Sequence, residues 1–180
     1  MTTWIALLRG INVVGRNKVP MKGLKALLEK HACADVQTYI QSGNVVFRSR
    51  LGSAAAIERR VADAVAKAYG FEPRVVALKP GELQRAAAGN PFPQANDDPT
   101  RLHLFFLAEP PARPDTKGLD AVRSATERYV LTGRVFYLYT PDGFGISKLA
   151  ERVERLLGVA ATARNWRTVT TLIEMSRAYD

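Results

Sequence analysis

"DVQTYIQSGNVVFRS", Asp35 to Ser49, is the stretch whose reading decides the fold. DVQTYIQ and NVVFRS read as two strands. The Ser42-Gly43 pair between them is a two-residue hairpin signal. Upstream, TTWIALLRG is a short apolar run bounded by Gly10, a buried strand by length and flanks. INVVGRNKVP is a loop, and from Met21 the residues Leu24, Leu27, Leu28 and His31 share one helical face behind Pro20. Downstream, Ser53 caps a second helix carrying Ile57, Val61, Ala64, Val65 and Ala68 on one side and ending at Gly70. PRVVALK is a fourth strand.

Residues 1–80 therefore order as strand-helix-strand-strand-helix-strand, the split βαβ pattern of ferredoxin-like folds. A connector, 81–100, holds a short helix from Glu82 to Ala88 and the loop NPFPQANDDP. Residues 101–180 repeat the order less clearly. RLHLFFLAE is a strand, Pro114 to Glu127 a helix, and RYVLTGRVFYLYT a hairpin turning near Thr132-Gly133. Ser147 to Leu157 is a helix, Val159 to Ala161 a candidate last strand, and a final helix starts with Thr162 as its N-cap. The expected fold is α+β: duplicated ferredoxin-like halves with a C-terminal helix. Ile5 and Leu104 lie in strands apolar on both faces, so the face away from the helices should be covered, by the other half or in a homodimer.

Composition narrows the function. The chain of 180 residues has 47% hydrophobic and 24% charged residues, ordinary for a soluble globular protein. One cysteine, Cys33, excludes an internal disulfide and suits a reducing compartment. No apolar run is long enough for a membrane span, so a cytoplasmic protein without a membrane partner is expected. The net charge of +9 admits a nucleic-acid partner. The basic residues are scattered, however, and arginine outnumbers lysine 18 to 8, the bias of a GC-rich coding sequence.

Negative readings remove several chemistries. His31 and His103 sit on apolar faces and have no cysteine partners, so no metal is expected. Cys33 reads as a small buried apolar residue. No nucleophile elbow, zinc-protease motif or complete phosphate loop occurs, and no cofactor is expected. An RNA-recognition module would need aromatics on its first and third strands. Ala6 stands at the first, and Phe47 alone serves the third.

Three stretches carry cations at expected helix starts. In RGINVVGRNKVPM, the residues Arg9, Asn12, Arg16, Asn17 and Lys18 crowd the approach to a helix, an arrangement suited to an anion. In DGFGISKL, two glycines precede Ser147 and Lys148, with Ser147 the natural N-cap. In TARNWRTVTTL, Arg164 falls in the first turn of the expected last helix, where the macrodipole disfavours a cation unless an anion binds too. There Trp166, Val169 and Ile173 pack, Asn165 ties the helix to a neighbouring loop, and Arg164 and Arg167 face away.

Together ALLRGINVVGRNKVPM, VQTYIQSGNVVF, GNPF, YLYTPDGFGISKL and TARNWRTVTTL resemble the hallmarks of a bacterial domain family of unknown function, numbered sixteen ninety-seven. The resemblance covers nearly the whole chain and implies a duplicated ferredoxin-like α+β fold and no established activity. Val14 departs from it where a glycine is expected, and Ile146 where an arginine is.

The leading expectation is a protein binding an anionic or phosphorylated small molecule. Arg9, Asn12, Arg16, Asn17 and Lys18 form one wall, and Ser147, Lys148 and Arg164 the other if the two halves face each other. Three alternatives remain open. One is an enzyme on a small phosphorylated or carboxylated substrate, with Tyr39, Lys18 or Lys148 as proton carriers. The others are a sequence-tolerant nucleic-acid binder and a dimerising interaction module.

Overall fold

A computed structural model describes residues 1–179. The protein is α+β, with two four-stranded antiparallel sheets. The chain divides into two compact units. The first holds Met1–Gln84 and the residues from Thr171 onward; the second is Arg85–Thr170.

The first unit runs β1 (Thr2–Arg9), α1 (Met21–Lys30), β2 (Cys33–Tyr39), β3 (Asn44–Ser49), α2 (Ala54–Tyr69) and β4 (Arg74–Leu78), with sheet order β2-β3-β1-β4. Trp4, Ala6 and Leu8 of β1 pack with Leu24 and Leu28 of α1 and Ile57, Val61 and Val65 of α2. Ile5 and Leu7, which alternate with them, are equally buried, so both faces of β1 are covered. Ser53 caps α2 by accepting the Ala56 N–H at 3.2 Å, and Gly70 ends it in the left-handed conformation.

The opening hairpin forms, but its turn differs from the two-residue expectation. Tyr39 pairs with Asn44, leaving a four-residue loop, Ile40 to Gly43. The cause is packing. Gly43 has φ +79°, and a Cβ there would sit 2.8 Å from Leu8 Cβ and 2.7 Å from Ile11 Cδ1. Its carbonyl accepts the Leu8 N–H at 2.8 Å. The turn is moulded onto the end of β1 rather than closed on itself.

A helix α3 (Pro80–Ala88) follows and spans the division between the units. The second unit continues with β5 (Leu102–Leu107), α4 (Thr116–Val122), β6 (Arg128–Thr132), β7 (Val135–Tyr139), α5 (Lys148–Leu157) and β8 (Ala161–Asn165), with sheet order β6-β7-β5-β8. Phe105, Leu107, Phe136 and Leu138 pack with Leu119 of α4 and Leu149, Val153 and Leu157 of α5. A last helix α6 (Trp166–Arg177) starts here, and its residues from Thr171 belong to the first unit.

The structure differs from three expectations in this unit. The Pro114–Glu127 helix is only α4, because Arg123 leaves the helical region at φ −66°, ψ 143°. The last strand is β8 rather than Val159–Ala161, and Thr162 is not a helix cap but a strand residue opposite Phe106. Asn165 does the capping, accepting the Thr168 N–H at 2.9 Å. Among the described residues, no helix is long and apolar enough to cross a membrane.

Candidate functional site

In the first unit the β1–α1 loop brings five of the sequence-selected residues together, and it divides their roles. The Asn12 side chain is fully committed. Its Nδ2 donates to the Val19 and Gln41 carbonyls at 3.0 and 2.8 Å, and its Oδ1 accepts the Val19 N–H at 2.8 Å. Asn17 Nδ2 donates to the Gly10 carbonyl at 2.7 Å. Main-chain bonds from Asn12 N–H to Asn17 O and from Arg16 N–H to Val13 O close the loop. The two asparagines are therefore the loop's frame, and through Gln41 they tie it to the β2–β3 turn.

Arg9, Arg16 and Lys18 project from that frame, exposed. Arg16 and Lys18 make no side-chain hydrogen bond or ion pair among the described residues. The loop ends at α1, whose N-cap is Pro20, with no side-chain cap and no acidic residue in the first turn. The first bond is Leu24 N–H to Pro20 O at 2.9 Å. Among the described residues this leaves the amides of Met21, Lys22 and Gly23 for an outside acceptor. Exposed Lys22 adds one more cation.

In the second unit, Ser147 is buried and its Oγ accepts the Ala150 N–H at 3.0 Å, the plain helix cap. Lys148, exposed, opens α5. Arg164 is not in a helical turn. It lies in β8 opposite Leu104, only 9% exposed, with Nη1 donating to the Ala163 carbonyl at 2.8 Å. Burial pulls its pKa down to about 10. The oddity of a cation at a positive helix end is thus resolved, because the helix begins two residues later. Cys33 is buried as expected. Desolvation, opposed by Arg60, pushes its thiol up to about 11, the setting of an unreactive cysteine.

Sequence reasoning missed one feature of this unit, a cavity of about 330 Å³ lined by Val122, Ser124, Glu127, Thr140, Asp142, Gly143, Ile146 and Lys148. Glu127 and Thr140 are 5% and 1% exposed. One Glu127 oxygen, Oε2, accepts the Ser124 N–H at 2.9 Å. Thr126 Oγ1 donates to the Asp142 carboxylate. The signal was present in the hairpin: a turn at Gly133-Arg134 pairs Arg128 with Tyr139, the pair that directly adjoins Glu127 and Thr140 in sequence.

A sequence family described as a protein of unknown function, DUF1697, matches residues 1–137. No curated protein matches the chain. Among solved structures, the conserved bacterial protein SP0830 from Streptococcus pneumoniae is similar, at 24% identity and a TM-score of 0.67, over 97% of this chain and 98% of that one. That likeness shows a shared fold.

Proposed function

Because the chain belongs to the DUF1697 family of proteins of unknown function, we propose a function from its own residues: it binds an anionic, phosphorylated small molecule through the β1–α1 loop. The observation that carries this reading is the uncapped start of α1 beside exposed Arg16, Lys18 and Lys22. Backbone amides aimed outward and the positive end of the macrodipole favour negative charge, and the nearby ammonium and guanidinium groups add to it. Asn12 and Asn17 contribute by holding the loop, not by touching the ligand. Arg9 stands at the strand end beneath it. We also read each unit as a ferredoxin-like half, because both sheets repeat one strand order.

Backbone amide NMR with inorganic phosphate tests the site. Phosphate should shift the Met21, Lys22 and Gly23 amides selectively, and added chloride should weaken the effect through screening. The double variant Arg16→Ala/Lys18→Ala, which leaves both asparagines in place, should bind about tenfold more weakly, the scale of losing charge-assisted contacts. Unshifted α1 amides, or undiminished binding by the variant, would end the proposal.

A further inference from the structure

The cavity of the second unit has the opposite charge character from the rest of the molecule. Two carboxylates, Glu127 and Asp142, line it against one ammonium, Lys148, in a chain of net charge +9. Glu127 is the unusual member. At 5% exposure its carboxylate needs partners, since a buried charge is costly unless paired. Two guanidinium groups lie near, yet both serve the Glu127 main chain. Arg123 Nη1 and Arg128 Nη1 donate to its carbonyl at 3.2 and 2.7 Å. The carboxylate receives the Ser124 N–H at Oε2 and no ion pair among the described residues. Its Oε1 accepts nothing among those residues, so the side chain reaches the cavity with an acceptor to spare.

The remaining lining completes a pattern. Lys148 stands at the start of α5 with no ion pair among the described residues. Ser124 and Thr140 also line it, with the Thr140 hydroxyl donating to the Arg101 carbonyl at 3.2 Å, and Val122 and Ile146 supply apolar surface. Gly143, at φ +123°, carries the chain around this rim in a backbone shape that other residues rarely adopt. A carboxylate pair, a separate ammonium and an apolar patch in one small cavity match a ligand with a positive group, a negative group and an aliphatic part.

We propose that this cavity binds a small zwitterion of the α-amino acid class. The ligand ammonium bonds Glu127 and Asp142, its carboxylate meets Lys148, and its side chain lies on Val122 and Ile146. This site is independent of the phosphate site, which lies wholly in the first unit, so either can fail without the other.

The test is a calorimetric titration with L-valine, isobutylamine and isobutyrate, which share the aliphatic part and differ in charge, followed by the other standard amino acids. An amino acid should bind, with the amine alone and the acid alone each about tenfold weaker or worse, as expected for losing one charged contact. Glu127→Gln keeps an oxygen for the Ser124 N–H and should abolish the preference for an ammonium. Asp142→Asn should weaken it, and Lys148→Met should abolish the preference for a carboxylate. Backbone amide spectra of each variant check its fold. Equal binding of valine and isobutylamine, no binding by any amino acid, or a folded Glu127→Gln protein that binds as before would overturn the proposal.

Discussion

The two units share a strand order and differ in where their backbones leave the ordinary regions. Among the described residues, every non-glycine with positive φ lies in the first unit: Asn12, Val14, Asn17, Ala32, Asp35 and Ile40. In the second unit only Gly133, Gly143 and Gly158 have positive φ. The elaborated loops also sit at different ends. The cationic loop of the first unit follows β1 and lies at that strand's C-terminal end. The cavity of the second follows β7, whose last residue Tyr139 pairs with Leu102 at the start of β5. Laid strand on strand, the candidate sites would fall at opposite sheet ends. One strand order thus carries two differently charged regions because its loops, not its sheets, hold the charged groups.

The sharpest way to break this comparison is through the two hairpin glycines. Gly43 combines φ +79° with contacts that leave no room for a Cβ, whereas Gly133 has φ +57° and nothing within 4 Å. Gly43→Ala must therefore meet left-handed strain and a clash with Leu8 and Ile11. We expect a loss of about 3 kcal/mol in urea unfolding. Gly133→Ala meets strain alone and should lose about 1 kcal/mol. Equal losses would show that the first turn is not moulded on β1.

Buried polar groups give the next contrast. In the first unit fully buried Asn44 spends its Nδ2 on the Tyr39 carbonyl at 3.0 Å and Ser42 Oγ at 2.9 Å. In the second, His103 stacks on Phe144 with ring centroids 3.6 Å apart, and its buried Nδ1 has no partner among the described residues. Burial lowers its pKa from 6.5 to about 4. Above pH 6.5 the ring is neutral in both folded and unfolded chains. As pH falls below 6.5 the unfolded chain takes the proton first, so stability is lost progressively until about pH 4. The loss is roughly 3 kcal/mol at most. His103→Phe keeps the stack and should remove this part of the acid sensitivity. An unchanged pH profile of urea midpoints would show that His103 is not the group responsible.

These contrasts also mark what the sequence made legible. Helices with local signals were readable: Ser53 and Ser147 as caps and Gly70 as a stop. β8 was not. Its two faces, Thr162 and Arg164 against Ala161 and Ala163, show no strongly apolar side although Thr162 and Arg164 are both buried, and a buried arginine in a strand looks locally like a charged helix turn. Asn12 looked like a ligand contact because its residue type fits one, while its partners Val19 and Gln41 are fixed by the fold. The cavity escaped because Glu127 and Asp142 flank the β6–β7 hairpin on opposite sides in sequence and come to line one cavity only when that hairpin closes.

The smallest expected effect concerns Val14, the residue that stands where the family resemblance leads one to expect glycine. It is 97% exposed with φ +40°, so packing contributes nothing to holding it there. A β-branched residue in the left-handed region costs about 1–2 kcal/mol. Glycine removes that cost but adds about 0.5–1 kcal/mol of conformational entropy lost on folding. The difference favours Val14→Gly by roughly 0.5 kcal/mol, read as a higher urea midpoint at unchanged slope. Phosphate affinity should fall slightly at the same time, because a glycine lets the loop bearing Arg16 and Lys18 sample more shapes before binding. A lower midpoint would mean that the Asn12 and Asn17 frame, rather than the residue at position 14, sets the backbone there, and the strain attributed to the first unit would shrink to Ala32, Asp35 and Ile40.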